Sequence, residues 1–185
     1  MNWRHVALDS VVPGPWRNGG GATRELATWP DGQAWVWRIS VAEVEKDGPF
    51  SIFAGVSRWF AVLEGAGVEL DIDGRRHRLT PASAPLAFDG AAHTGCRLLD
   101  GATRDFNLML RAAAASAHVQ WVTGACEFEV AAGATVAVFA SQGATIADSS
   151  TQASVAAQTL AWRTISTQTR LRLTGARALW MDIRT

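Results

Sequence analysis

Val68-Glu69-Leu70-Asp71-Ile72-Asp73-Gly74-Arg75-Arg76-His77-Arg78-Leu79 is the stretch that decides the fold class. Successive side chains of a strand point to opposite faces, so Val68, Leu70 and Ile72 share one face while Glu69, Asp71 and Asp73 share the other. Asp73-Gly74 stands where the alternation stops and a basic return segment begins, which is the signature of a hairpin closed by a two-residue primed turn. The charged face of that hairpin must look at water. No window of about 11 residues anywhere in the chain sustains the three-and-four spacing of an amphipathic helix. The expectation is an all-β protein.

Outward from the hairpin the alternation recurs. On the amino-terminal side, Trp35, Trp37, Ile39 and Val41 fall on one face of a strand, with Val36, Arg38, Ser40 and Ala42 on the other. Asp47-Gly48-Pro49 marks a turn, Phe50-Ser51-Ile52-Phe53 follows, and Arg58 to Glu64 is a further strand before the reversal at Gly65 and Gly67. On the carboxyl-terminal side, Pro81 and Pro85 bracket a loop, and in Arg104 to Arg111 the apolar Phe106, Leu108 and Leu110 oppose Asp105, Asn107, Met109 and Arg111. Two strands therefore carry a partly polar face, as a pocket wall would. Ala112-Ala113-Ala114-Ala115-Ser116-Ala117 has no face preference, could form one short helical turn or two, and marks a boundary, dividing the chain into 1–111 and 112–185. Strands continue beyond it at Cys126–Val130, Thr135–Ala140, Thr159–Arg163, Arg170–Leu173 and Ala178–Ile183, with little chemistry, as scaffold. Val122 to Phe139 echoes Val62 to Phe88 and hints at a duplicated β-sandwich unit.

The 185 residues suffice for one domain or two small halves, and 48% hydrophobic content can build the core. Lys+Arg and Asp+Glu balance at 17 each, so no basic surplus collects phosphates or an anionic lipid surface, and neither nucleic acid nor membrane is an expected partner. Most of the nine Trp are read as core filling. Cys96 and Cys126 form no CxxC pair and are read as reduced, buried thiols. The start, Met1-Asn2-Trp3-Arg4-His5-Val6, lacks a basic region followed by an apolar one, and no apolar run reaches the roughly 20 residues of a membrane span. A cytoplasmic location is expected.

Binding chemistry is densest in Pro15-Trp16-Arg17-Asn18-Gly19-Gly20-Gly21-Ala22-Thr23-Arg24-Glu25. The glycine run does not complete GxGxxG, because Arg24 takes the last place, and neither GxSxG nor a phosphate-loop motif is present. His5, His77, His93 and His118 stand in separate segments, so no metal site and no cofactor are expected. Four arginines, Arg24, Arg38, Arg58 and Arg111, lie on strands where charge is awkward. The guanidinium is a planar donor fork that takes a carboxylate bidentately. Each could instead pair with a neighbouring acid, Arg24 with Glu25 or Arg111 with Asp105. Together with Asn18, Thr23, Ser40, Phe53 and Asn107, they point to a pocket for a small organic acid. Asp47, Asp89 and Asp105 are the candidate acid or base groups, each equally suited to a turn or capping role.

Six phrases, Pro15 to Glu25, Trp37 to Ala42, Asp47 to Phe53, Arg58 to Gly65, Phe88-Asp89-Gly90 and Asp105 to Met109, resemble the HutD/Ves family in its order across residues 3 to 111. The resemblance implies a bicupin-like fold without the usual cupin metal ligands. It also implies a role in moderating histidine utilisation by binding a pathway intermediate such as formylglutamate or urocanate. Ser57 stands where the family often has Asp, and Leu110-Arg111 replaces its common Arg-Arg.

The expected site is Trp16, Asn18, Gly19, Gly20, Thr23, Arg24, Arg38, Ser40, Phe53, Arg58 and Asn107. Arg58 and Arg38 would neutralise the anion, Asn18 and the amides of the glycine loop would orient it, and Phe53 with Trp16 would wall it. The partner expected is a small carboxylate and, at most, a second copy of the chain. Two other readings stay open: a metal-free cupin-like enzyme with Asp105 or Asp47 as base, and an interaction module using exposed Trp and an edge strand.

Overall fold

The computed structural model describes residues 3–32 and 34–185. Its strands are β1 (Arg4–Ala7), β2 (Gly14–Pro15), β3 (Gly21–Trp29), β4 (Trp37–Val44), β5 (Gly48–Pro49) and β6 (Val56–Glu64). Next come β7 (Val68–Ile72), β8 (Arg75–Leu79), β9 (Leu86–Asp89), β10 (Thr94–Leu98) and β11 (Thr103–Arg111). The chain ends with β12 (Ser116–Val130), β13 (Thr135–Ala140), β14 (Ala144–Ala147), β15 (Gln152–Val155), β16 (Thr159–Thr164) and β17 (Thr169–Arg184). One 3₁₀ turn, Leu8–Ser10, is the helical element among the described residues, so the chain is all-β. No helix among the described residues is long and apolar enough to cross a membrane. The alanine run from 112 to 114 is a turn, not a helix, because β12 begins at Ser116 and draws the backbone into a ladder.

The chain divides into two compact units, Val12–Ala114 and a second that joins Ala115–Thr185 to the segment ending at Val11. The second unit recruits the amino terminus because β1 pairs along β16, Arg4 opposite Trp162 through Ala7 opposite Thr159. Its seven-stranded sheet runs β1-β16-β13-β17-β14-β15, with β12 also paired to β17. Its core gathers Val136, Val138, Ile146, Leu171, Leu173 and Trp180, with Phe128 stacked on Trp180 at a 3.9 Å centroid separation. The segments read separately as Arg170–Leu173 and Ala178–Ile183 are one strand, β17, paired along β12 from Ser116 to Val130. Gly124 and Gly175, which look like turn markers, sit opposite each other where the register slips. A Cβ on Gly175 would come 2.9 Å from the Gly143 carbonyl oxygen, so the glycine permits a close crossing inside a continuous strand.

In Val12–Ala114 a six-stranded sheet, β2-β3-β4-β11-β6-β9, packs on a four-stranded sheet, β5-β10-β7-β8. The β7–β8 hairpin has the expected register, and Asp73 and Gly74 both have positive φ, 48° and 82°, as a primed turn requires. Three central strands position the site. Across β4, β11 and β6, pairing sets Arg38, Met109 and Arg58 in one row, then Ser40, Asn107 and Phe60, then Ala42, Asp105 and Val62. These rows face the four-stranded sheet, while Trp37, Ile39, Val41, Phe106, Leu108 and Leu110 form a wholly buried apolar opposite face. The alternation read from the sequence therefore sorts polar from apolar residues onto separate faces.

Candidate functional site

Within Val12–Ala114 a cavity of about 560 Å³ opens over the first two of those rows and reaches Ala42 in the third. Its wall is made by Arg38, Ser40, Arg58, Phe60, Asn107 and Met109 from the sheet, and by side chains of the β2–β3 and β5–β6 connections. At its centre is Arg58, only 5% exposed. Its guanidinium Nη2 donates to Asn107 Oδ1 at 2.9 Å, and its Nε has no acceptor among the described residues. Three aromatic rings surround it, with Phe50, Phe53 and Phe88 centroids 5.2, 6.0 and 5.1 Å from Cζ. Cation–π contact of this kind offsets part of the loss of hydration. Among the described residues no carboxylate forms an ion pair with Arg58. Desolvation, with the like charge of Arg38 added, brings its pKa down to about 10, so it stays charged at neutral pH.

Arg38 shares the cavity wall but is partly neutralised, its Nε 2.8 Å from Glu25 Oε2. Trp16 packs edge-on against Phe50 and donates its indole N–H to Thr23 Oγ1 at 2.7 Å, so the aromatic wall and the threonine are fixed together. Arg17, which the sequence reading passed over, is an exposed cation on the cavity lining. This combination, one desolvated guanidinium with unused donor capacity beside amide and hydroxyl groups, is chemically suited to hold a compact anion.

Over residues 9–181 the chain matches the HutD family model. It belongs to the HutD family. An uncharacterised 21.2 kDa protein in the hutC 3′ region of Pseudomonas putida is 42% identical over 131 residues, 69% of this chain and 67% of that one. HutD of Pseudomonas fluorescens SBW25, solved in a formate condition, is 30% identical with a TM-score of 0.84, covering 99% of this chain and 98% of that one. A conserved protein of unknown function from Pseudomonas aeruginosa PAO1 is 33% identical with a TM-score of 0.91, all of both chains being covered. A cupin 2 conserved barrel domain protein from Leptotrichia buccalis, 8% identical with a TM-score of 0.58, covers 98% of this chain and 96% of its own; it establishes likeness of fold alone, a cupin-like barrel. The HutD family is linked to histidine-utilisation genes.

Of the residues the sequence singles out in this HutD member, Trp16, Asn18, Thr23, Arg38, Ser40, Phe53, Arg58 and Asn107 all line the cavity. Arg24 does not. It neighbours Thr23 in sequence, so strand alternation turns it to the other side of the sheet, where it pairs with Glu43, as does Arg104. Arg111 is exposed and lies over Trp35, 4.9 Å from Cζ to the ring centroid. Gly19 and Gly20 lie outside the lining, and their amides are occupied: Gly19 N–H donates to the Trp16 carbonyl at 3.0 Å and Gly20 N–H to Asn18 Oδ1 at 3.0 Å. The glycine loop is thus a structural device. Gly19 supplies a φ of +64°, and a Cβ on Gly21 would lie 2.1 Å from the Glu43 carbonyl oxygen.

None of the candidate acids lines the cavity. Asp47 Oδ1 accepts the Leu98 N–H at 2.8 Å and Asp89 Oδ1 the Ala91 N–H at 2.9 Å, both backbone-bracing roles. Asp105 is wholly buried one row below Asn107. Of the two thiols, Cys96 is buried but Cys126 only half so. The sequence missed Phe50, Phe60 and Met109 as wall residues. Phe60 and Met109 were legible, each lying two residues from a predicted site residue on the same strand face.

Proposed function

We propose that this HutD protein is a non-enzymatic binder of a small carboxylate, held in the Val12–Ala114 cavity with Arg58 as its anchor, within a bicupin-like chain. Arg58 carries the reading: a buried cation without a carboxylate partner among the described residues, facing a cavity large enough for a small organic acid. Burying a charge is costly unless it is paired, and an anion in the cavity would supply the acceptors its fork lacks. Arg38 and Arg17 add positive potential, and Ser40 and Asn107 offer neutral polar groups that distinguish orientation. The link of the family to histidine-utilisation genes supports a ligand drawn from that route, formylglutamate or urocanate, whose capture would moderate induction.

The test is calorimetric titration of the chelator-treated protein with formylglutamate, urocanate, histidine and glutamate. Heat with one acid, lost in Arg58→Ala, is the expected result. A folded protein that binds none of them sinks the proposal.

A further inference from the structure

Asp105 is a buried acid with no counter-ion among the described residues. It is 0% exposed; Oδ2 accepts from Thr103 Oγ1 at 2.7 Å, and Oδ1 has no hydrogen-bond partner among the described residues. Its neighbours across the sheet are Ala42 on β4 and Val62 on β6, both apolar. From the opposing sheet Cys96 approaches, its thiol pushed up to about 12 by burial and by the charges of Asp105 and Asp47. No arginine, lysine or histidine forms an ion pair with Asp105 among the described residues. Burial raises its own pKa to about 7, against the lowering effect of the Thr103 hydrogen bond.

Its place on β11 ties this acid to the cavity. Asp105 and Asn107 point to the same side of β11, about 7 Å apart as alternate residues of a strand. Asn107 holds Arg58. The charged groups on the cavity wall itself are Arg17, Arg38 and Arg58, and none of the four histidines lines the cavity. A carboxylate at Arg58 and an ionised Asp105 would be two like charges across a low-dielectric core.

We propose that Asp105 is a proton-linked element of the cavity, so that the anion binds most tightly when Asp105 is neutral and its binding takes up a proton. This rests on the carboxylate-binding reading above. An anion held by Arg58 over the Asn107 row, the row next to the acid's, favours the protonated form, and by reciprocity the proton favours the anion. Affinity therefore falls as pH rises through neutrality.

The experiment titrates the intact chain with formylglutamate and glutamate, whose carboxyl groups are fully ionised between pH 6 and 8, at several pH values and in two buffers of different ionisation heat. Affinity is expected to be roughly three- to fivefold higher at pH 6 than at pH 8, with about a third of a proton taken up per ligand at pH 7. Asp105→Asn should flatten the dependence at the tight level. Thr103→Val, which removes the hydrogen bond favouring the ionised carboxyl, should move the midpoint to higher pH and serves if the asparagine variant does not fold. Binding that is flat with pH, or a dependence unchanged in both variants, overturns this proposal and leaves carboxylate binding standing. Binding of neither acid at any pH overturns this proposal, and failure of urocanate and histidine as well overturns carboxylate binding.

Discussion

The interiors of the two compact units make opposite use of the same strand chemistry. In the unit built on Ala115–Thr185, inward positions are filled by Val136, Val138, Ile146, Leu171, Leu173 and Trp180, and the buried polar residues are Thr135 and Thr159. In Val12–Ala114 the equivalent interior keeps Ser40, Arg58, Asp105 and Asn107. An apolar interior gains stability from every methylene it removes from water. A buried cation and a buried acid that lack ion-pair partners among the described residues reduce it. The difference teaches that one interior is filled for stability while the other gives stability up to keep a polar cavity.

The largest expected effect lies on the filled side. Trp180→Ala would remove the indole stacked on Phe128 and cost about 3–5 kcal/mol, read as a lower denaturant midpoint. If the loss is under about 1 kcal/mol, that core is not what holds its unit together. On the polar side, Arg58→Leu should weaken carboxylate binding at least roughly 100-fold while leaving stability unchanged or higher, since an apolar side chain replaces a desolvated charge. Paired loss of binding and stability would make Arg58 a structural residue and erase the contrast.

Asp105→Asn should come next, and its sign follows from the raised pKa. The folded chain keeps a proton on Asp105 up to about pH 7, whereas an unfolded Asp releases it near pH 4. The folded state therefore binds more protons between those values, and its stability declines as pH rises through that window. Asparagine removes the decline, so the variant should exceed the parent by about 4 kcal/mol at pH 8 and show no such gain at pH 4, measured by chemical denaturation at both. Arg17→Ala should have the smallest effect, a two- to threefold loss of affinity at low salt that shrinks as salt is added, because an exposed charge is screened. A larger, salt-insensitive loss would mean that Arg17 folds down onto the ligand.

Much of the polar wall was legible because alternation is a local rule. Arg38 with Ser40, and Asn107 with Asp105, could be set on one face by counting in twos, and the cavity gathers that face. The same count would have excluded Arg24 once Thr23 was placed inside. The glycine loop was harder to read, since its amides turn back on Trp16 and Asn18 and only coordinates show which donors are already occupied. The burial of Arg58 among Phe50, Phe53 and Phe88 draws on three separate segments, none of which signals the others.

By itself the sequence determined the strand character, the Asp73-Gly74 turn and which residues share a face, because these follow from the two-residue repeat of the extended backbone and from the steric limits on φ. Only the tertiary structure decided that β1 joins β16, that β12 and β17 run unbroken, and that Arg58 is desolvated while Arg24 and Arg111 are not. Pairing between distant strands, and the exclusion of water that sets a charge's cost, depend on what the rest of the chain brings alongside.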